Sequence, residues 1–523
     1  MFAMSYTPNR VHATPPAPAK PASSASVAGD PRDGGLDGQS QDALFDGGQS
    51  PIGIDYAPVR CAGDKPYWLR RDAMAICAPQ LGRDPRTCGH SESTCPALCE
   101  KCYADDLSFI KRELRVNTIT IYQPSYYILK EARRLKMKVV VGLLNDSVLG
   151  LAAPAARKDC TYVASPLYHC GPEYASALID GACVDTIGGD PFKLCTSHCA
   201  QRSHPGADCV SGDCSCRSDV ECRGASNRCL SGVYLAPMNN PSSGEFLHDG
   251  TVIGIQLGNE FFKACQTSEV PGLHQPCCIR DKKTGQCNAW TVTREVISAA
   301  ASNLRSALNS RGLNRVKITV NLVQEQGPAF CRNGAPPPGV DYIATHSYCD
   351  FVAEMPPQWT TLSGAECWDR ARNHEFTIDQ KACGASRTYI GETGYNTGCP
   401  LLGKAGPRLH AEQDFVNAML GSEPACNGKP NPTAPIPNFL FEFVDVCPPG
   451  GCLAGCGDPH RCSYNCCCEH NCSATEMCAA ECPRCIGNGY FGLFHAADYG
   501  TEGFPPQPKF DPMPSLLCPA APK

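Results

Sequence analysis

Two glutamates stand where apolar runs end. Val252-Ile253-Gly254-Ile255-Gln256-Leu257-Gly258-Asn259-Glu260 and Arg387-Thr388-Tyr389-Ile390-Gly391-Glu392-Thr393-Gly394-Tyr395 both read as strands that carry a carboxylate at their C-terminal end. A carboxylate is costly to bury there without a task. Two of them on nearby strands match the needs of retaining glycoside hydrolysis, where acid and nucleophile stand about 5 to 5.5 Å apart. One carboxyl must be protonated to release the leaving group, and the other must be ionised to attack the anomeric carbon. A single strand-end glutamate is better read as the partner of a buried Arg or as a helix cap; a pair, one of them preceded by Asn, is not. Asn259 has a job in this chemistry, since its amide can hydrogen-bond the sugar hydroxyl next to the reacting carbon. His346, at the end of another apolar run, suits a hydrogen bond to substrate or nucleophile nearly as well as it suits a satisfied core position.

Such carboxylates need a frame. Short β-branched runs alternate with helical patterns from Pro51 onward, the signature of parallel strands joined by crossover helices. Eight runs are expected as strands: Ile52 to Tyr56, Val116 to Tyr122, Lys138 to Leu144, Val252 to Leu257, Val316 to Val323, Val340 to Thr345, Thr388 to Gly391 and Phe439 to Val444. Helices are expected over Asp106 to Leu114, Ser125 to Lys136, Thr293 to Asn309 and Ala411 to Leu420. In the third, Val296, Ile297, Ala300, Leu304, Ala307 and Leu308 share one face. The sum is an α/β fold, a TIM (β/α)8 barrel over residues 51–510 with large cysteine-rich insertions in its βα loops. A Pro/Ala/Ser/Gly-rich tail is expected over residues 1–50 and a second tail over 511–523.

The insertions, at about 61–102, 160–229 and 447–485, carry six, ten and eleven cysteines. They follow strands 1, 3 and 8 and so lie on the face where barrels keep their active sites. Segments this polar cannot fold on a core of their own, so disulfides within each insertion are expected to constrain them. The whole chain of 523 residues holds 38 cysteines, enough for 19 bridges and a mark of an oxidising compartment. Zinc sites fit less well, because the cysteines fall at irregular intervals without paired histidines. With 46 basic against 52 acidic residues, a formal charge of −6, the chain suits neither nucleic acid nor anionic membranes as partners. No run of about 18 apolar residues is present to span a bilayer. Residues 1–19 lack the apolar core and cleavage site of a secretory signal, so export is expected through a removed leader or an unconventional route.

The Asn259-Glu260 and Glu392 strand ends resemble glycoside hydrolase clan A, and the flanking residues resemble family 17, the β-1,3-glucanases and glucanosyltransferases. Ile52-Gly53-Ile54-Asp55-Tyr56, Val141-Gly142-Leu143-Leu144-Asn145-Asp146, Leu257-Gly258-Asn259-Glu260, Glu392-Thr393-Gly394-Tyr395 and Tyr490-Phe491-Gly492-Leu493-Phe494 carry the resemblance. It implies Glu260 as general acid/base and Glu392 as nucleophile. It also implies a β-glucan substrate, with Tyr56, Tyr122 and Tyr348 around the reacting sugar; Asn145, Asn259, His346 and Tyr395 are further candidates for binding it. With no Gly-rich phosphate loop and no metal-ligand cluster in the sequence, no metal or other cofactor is expected, and a secreted or cell-wall monomer is expected. Departures are present: Thr120-Ile121-Tyr122 replaces Arg-Ile-Tyr, His346-Ser347-Tyr348 replaces Asn-x-Tyr, and Phe443-Val444-Asp445 replaces Phe-Asp/Asn-Glu, which implies a lost supporting group after strand 8. Family 72, the β-1,3-glucanosyltransferases, is a neighbouring resemblance, carried by Asp55-Tyr56-Ala57-Pro58 and Leu114-Arg115-Val116-Asn117-Thr118-Ile119. A non-catalytic glucan-binding or wall protein on the same barrel is the alternative from another class; the intact glutamate pair argues against it. Asn145 and Asn471 fit the glycosylation pattern, and Trp68, Trp290, Trp359 and Trp368 offer faces for sugar stacking or for packing.

Overall fold

The computed structural model describes residues 50–58, 96–122, 126–143, 246–261, 289–323, 326–349, 362–395, 405–429, 436–443, 492–494 and 515–518, with Thr433 and short pieces between 148 and 229. Both expected tails fall mainly outside these residues.

Eight parallel strands form the frame: β1 (Gly53–Asp55), β2 (Thr118–Ile121), β3 (Lys138–Gly142), β4 (Val252–Gln256), β5 (Lys317–Val323), β6 (Tyr342–His346), β7 (Thr388–Glu392) and β8 (Phe439–Leu440). They pair in the order β7-β6-β5-β4-β3-β2-β1-β8, each in parallel register with its neighbour. The two ends of that order meet. The Phe441 N–H donates to the Thr393 carbonyl at 2.7 Å, and the Ile390 N–H donates to the Asn438 side-chain oxygen at 2.8 Å. The result is a TIM barrel. Strand runs buried on both faces are what a closed parallel sheet requires, and β2 and β7 are buried at every position.

The barrel interior holds Val140, Ala344, Tyr389 and Phe439, plugged by Ile436. The outward faces pack under helices α1 (Pro96–Arg112), α2 (Tyr126–Arg134), α3 (Ala289–Asn309) and α5 (Ala405–Ser422) in one contiguous core. In α3, Ile297, Ala300, Leu304, Ala307 and Leu308 of the expected stripe are buried, Val296 is half-buried, and Ala301 is buried beside them. Between β6 and β7 runs α4, an α-helix over Gly364–Asp369 that passes through a π-helical stretch, Arg370–Phe376, into Thr377–Cys383. The expected β/α repeat calls for a helix there but gives it no bounds. Its start carries a capping box: Ser363 Oγ accepts from the Glu366 N–H, and the Ser363 N–H donates to Glu366 Oε2 at 2.9 Å.

The second insertion departs from the expectation of a strandless loop. Its backbone forms small antiparallel sheets, Cys160–Tyr162 with Ser165–Leu167, Cys209–Val210 with Asp213–Cys214, and Cys183–Asp185 with Asn227–Cys229 and Lys193–Leu194. Three disulfides fall wholly among the described residues. Cys331–Cys383, Cys349–Cys367 and Cys426–Cys518 all join segments outside the three insertions. Cysteines therefore staple the barrel's own helices and C-terminal segment, closing stretches of 52, 18 and 92 residues. Cys102 is bonded as well. Pairing inside the insertions lies outside the described side chains. No helix among the described residues is long and apolar enough to cross a membrane.

The seam between β7 and β8 contains a titratable group. Asn438 accepts the Gly53 N–H on its carbonyl at 2.8 Å, and its side-chain nitrogen donates to Glu423 Oε1 at 2.9 Å. Glu423 is 2% exposed. Burial pushes its carboxyl up to about 7 from 4.5, against the opposing pull of the Asn438 hydrogen bond and the Arg372 charge. The folded chain thus keeps this proton at pH values where the unfolded chain has lost it. Stability is highest below about pH 4.5 for this group and falls as pH rises to about 7, by about 3 kcal/mol in all. Glu423→Gln retains an oxygen acceptor for Asn438 and cannot ionise. Its thermal midpoint is expected to lose the decline between about pH 5 and pH 7 that the parent shows, as read by scanning fluorimetry; parallel pH profiles would refute the role.

Candidate functional site: a carboxylate pair bridged by a histidine

The chain leaves β4 sharply. The Leu257 N–H still pairs with the Thr319 carbonyl at 2.8 Å, and then Gly258 takes φ 70° and Glu260 takes φ 44°. A left-handed backbone is ordinary for glycine and strained for glutamate, by about 1 kcal/mol or more. Strain of this kind persists only where surrounding structure holds it, and here it sits on the residue with the candidate chemistry. On the other side, Glu392 is the last residue of β7, opposite His346 of β6, where the register of the pair shifts between Thr345 and His346. The strand ends are locked together: the Ser347 N–H donates to the Glu392 carbonyl at 2.9 Å, and Thr393 Oγ1 donates to the Ser347 carbonyl at 2.6 Å.

The side chains converge. His346 Nδ1 lies 3.1 Å from Glu260 Oε1 and 3.4 Å from Glu392 Oε2. An oxygen of each carboxylate and a ring nitrogen of the histidine all fall within 4.8 Å of one another. The two carboxyls differ in setting. The Glu392 side chain is 4% exposed and accepts from Tyr122 Oη at 2.7 Å on Oε1 and from Tyr348 Oη at 3.0 Å on Oε2. Donors on both oxygens suit a group that works as an anion. The Glu260 side chain is 25% exposed, open enough to exchange a proton with a leaving group or water.

The histidine is oriented from behind. Asn321, on β5, places its side-chain nitrogen 2.7 Å from His346 Nε2 and 3.1 Å from Asn259 Oδ1. With that nitrogen donating to both, Nε2 accepts, and the ring proton sits on Nδ1 between the two carboxylates. Sequence reasoning missed Asn321. Its signal was an amide inside the apolar run Lys317-Ile318-Thr319-Val320-Asn321-Leu322-Val323.

The sequence-derived site residues divide. Glu260, Glu392, Tyr122, Asn259, His346 and Tyr348 come together. Tyr56 does not: it is fully buried, and its hydroxyl donates to Asp106 Oδ2 at 2.9 Å while its ring packs near Phe443. Tyr395 is likewise buried, its hydroxyl on the Leu362 carbonyl at 3.1 Å and its ring near Phe415. Tyr56, directly after β1, points to the packing layer because alternate residues of a strand end face opposite ways; Tyr395 lies three residues beyond the end of β7. Asn145 lies outside the described residues, as do Asn471, Trp68 and Trp359 and the side chain of Trp290. Trp368 is a packing residue, with Nε1 on Ser422 Oγ at 3.0 Å and its ring edge-on to Phe415. The supporting group expected to be lost after β8 and the shortened carboxylate, Val444 and Asp445, lie outside the described residues. The strand is shorter than expected, and Glu442, 1% exposed between Phe441 and Phe443, is the buried carboxylate at its end. Phe443 then bonds back to β1 through the Asp55 carbonyl at 3.3 Å.

No protein-family model matches the chain. No curated protein matches it. Among solved structures, the chain is similar to a β-1,3-glucanase and allergen of Cryptomeria japonica pollen, at 11% identity and a TM-score of 0.34, covering 79% of this chain and 94% of that one. It is similar also to one of two plant β-glucan endohydrolases with distinct substrate specificities, at 13% identity and a TM-score of 0.34, covering 65% of this chain and 87% of that one.

Proposed function

We propose that the chain is a retaining glycosidase or transglycosylase acting on β-1,3-glucan, with Glu392 as nucleophile and Glu260 as general acid/base. The observation that carries this reading is the carboxylate pair at the ends of β4 and β7, oxygens within 4.8 Å of each other. That spacing supports direct attack by a carboxylate rather than by a water held between two of them, which needs about 6.5 to 9.5 Å. In the first step the Glu392 carboxylate attacks the anomeric carbon while Glu260 gives its proton to the departing oxygen. In the second, Glu260 takes a proton from water or from a sugar hydroxyl, which then displaces Glu392. Tyr122 and Tyr348 hold the nucleophile's two oxygens throughout, and Asn259 is placed beside the acid for the neighbouring sugar hydroxyl. The choice of β-1,3-glucan as polymer, and secretion as destination, follow the sequence resemblance; disulfides in the barrel fit an oxidising compartment.

Incubation with linear β-1,3-gluco-oligosaccharides and analysis of the products tests the reading. Shorter products of retained β-configuration are expected, with longer ones if transfer competes with hydrolysis. Products of inverted configuration would exclude the mechanism, and no reaction on any β-glucan would leave the binding-protein alternative standing.

A further inference from the structure

The histidine between the two glutamates gives the centre a second chemistry. A zinc ion with bonds of about 2.0 to 2.1 Å in tetrahedral geometry holds its ligand atoms about 3.3 to 3.4 Å apart. His346 Nδ1 stands 3.1 Å from Glu260 Oε1 and 3.4 Å from Glu392 Oε2, so two of the three edges are already the right length. The third, between the carboxylate oxygens, is within 4.8 Å and shortens by rotation of the Glu260 carboxylate, the one member whose side chain is not buried. One imidazole with two carboxylates is a donor set that zinc accepts, with the fourth position open.

The surroundings fit a ligand set as well as a catalytic pair. Glu392 is held by Tyr122 and Tyr348, the kind of outer contact that orients a ligating carboxylate. A ligating His must present an unprotonated Nδ1 and donate from Nε2. The group facing Nε2 is the Asn321 amide, whose oxygen is buried and makes no hydrogen bond among the described residues. Turning that amide over brings the oxygen to Nε2, and turning Asn259 with it restores their mutual bond. The two amides can therefore support either tautomer of His346.

We propose that Glu260, His346 and Glu392 form a divalent-cation site of the zinc type, and that the ion and the glucan exclude each other. The inference rests on the catalytic reading only for its consequence, inhibition; the binding itself stands on the donor geometry. Zinc is titrated calorimetrically into the full chain and into His346→Asn and Glu392→Gln, each first shown by circular dichroism to be folded. Cobalt(II) serves as the visible-absorption probe of a tetrahedral site. The parent is expected to bind one equivalent that both variants have lost or bind at least about 10- to 100-fold more weakly, since removal of an outer-shell partner alone costs that much. A β-1,3-gluco-oligosaccharide should displace this equivalent and its cobalt spectrum. Zinc bound elsewhere, by cysteines for instance, would appear equally in all three proteins. Identical isotherms for parent and variants overturn the proposal, even if glucan is cleaved. Loss of the equivalent in the variants, in a protein that cleaves no glucan, upholds the site and refutes the glycosidase reading instead.

Discussion

Glu392→Ala is expected to lower kcat on β-1,3-gluco-oligosaccharides by at least about 10⁴-fold, the scale on which removal of a covalent nucleophile acts. Glu260→Ala is expected to respond in another way. A substrate with an activated leaving group needs little protonation, so its first step survives, and the glycosyl-enzyme then accumulates for want of a base. Azide, which needs no base, should attack that intermediate and restore turnover, giving a β-glycosyl azide. With Glu392→Ala no intermediate forms; azide in the vacated space attacks the substrate directly, and the azide product is inverted. The asymmetry follows from geometry on each side of the pair. Glu392 is enclosed by Tyr122, Tyr348 and His346, whereas Glu260 stands partly open on a left-handed backbone. Product configuration, read by NMR, decides between them. If azide rescues both variants with the same configuration, or the pattern is reversed, the roles assigned to the two carboxylates are wrong.

The parts legible in the sequence were those governed by local pattern. Seven strand runs were recognisable to within a few residues because β-branched residues buried on both faces leave a continuous apolar signal, and the strand-end glutamates were conspicuous against it. Strand β8 was read too long: Phe439 to Val444 is apolar enough throughout, but the pairing stops at Leu440 and the chain then crosses to bond Thr393 and Asp55. Helix α4 could not be bounded although Ser363 and Glu366 stand at capping-box spacing, because its π-helical middle, Arg370–Phe376, breaks the 3.6-residue pattern. Inside the site, what no pattern announces is which way a strand-end side chain faces. Tyr56 and Tyr122 end neighbouring strands, yet one bonds a helix carboxylate and the other bonds the nucleophile. Asn321 was hidden for the same reason: its role depends on β5 lying between β4 and β6, which is a property of the closed barrel and not of the run that contains it.

Gly391→Ala is expected to damage activity far more than its exposure or chemistry would suggest. The residue precedes the nucleophile in β7, and a Cβ there would lie 2.7 Å from the Ala344 Cβ and 3.5 Å from His346 Cδ2. Neither neighbour can retreat easily, since Ala344 and Thr345 are held in register against Tyr389 and Ile390. A contact of 2.7 Å between methyl carbons must open by roughly 1 Å to reach van der Waals separation. The strands that must part are the two that carry His346 and Glu392. Displacement on that scale in a catalytic constellation costs about 100-fold in rate, and overpacking of this kind costs about 1 to 3 kcal/mol of stability. The double variant Gly391→Ala/Ala344→Gly removes the opposing methyl while retaining the new one. If the damage is steric, kcat and the thermal midpoint of the double variant should recover well beyond the sum of the two single effects, a coupling of the size expected for residues in contact. A double variant no better than additive would mean that Gly391 is required for the flexibility of the β7 backbone, and that the close approach of the two strands does not set the position of Glu392.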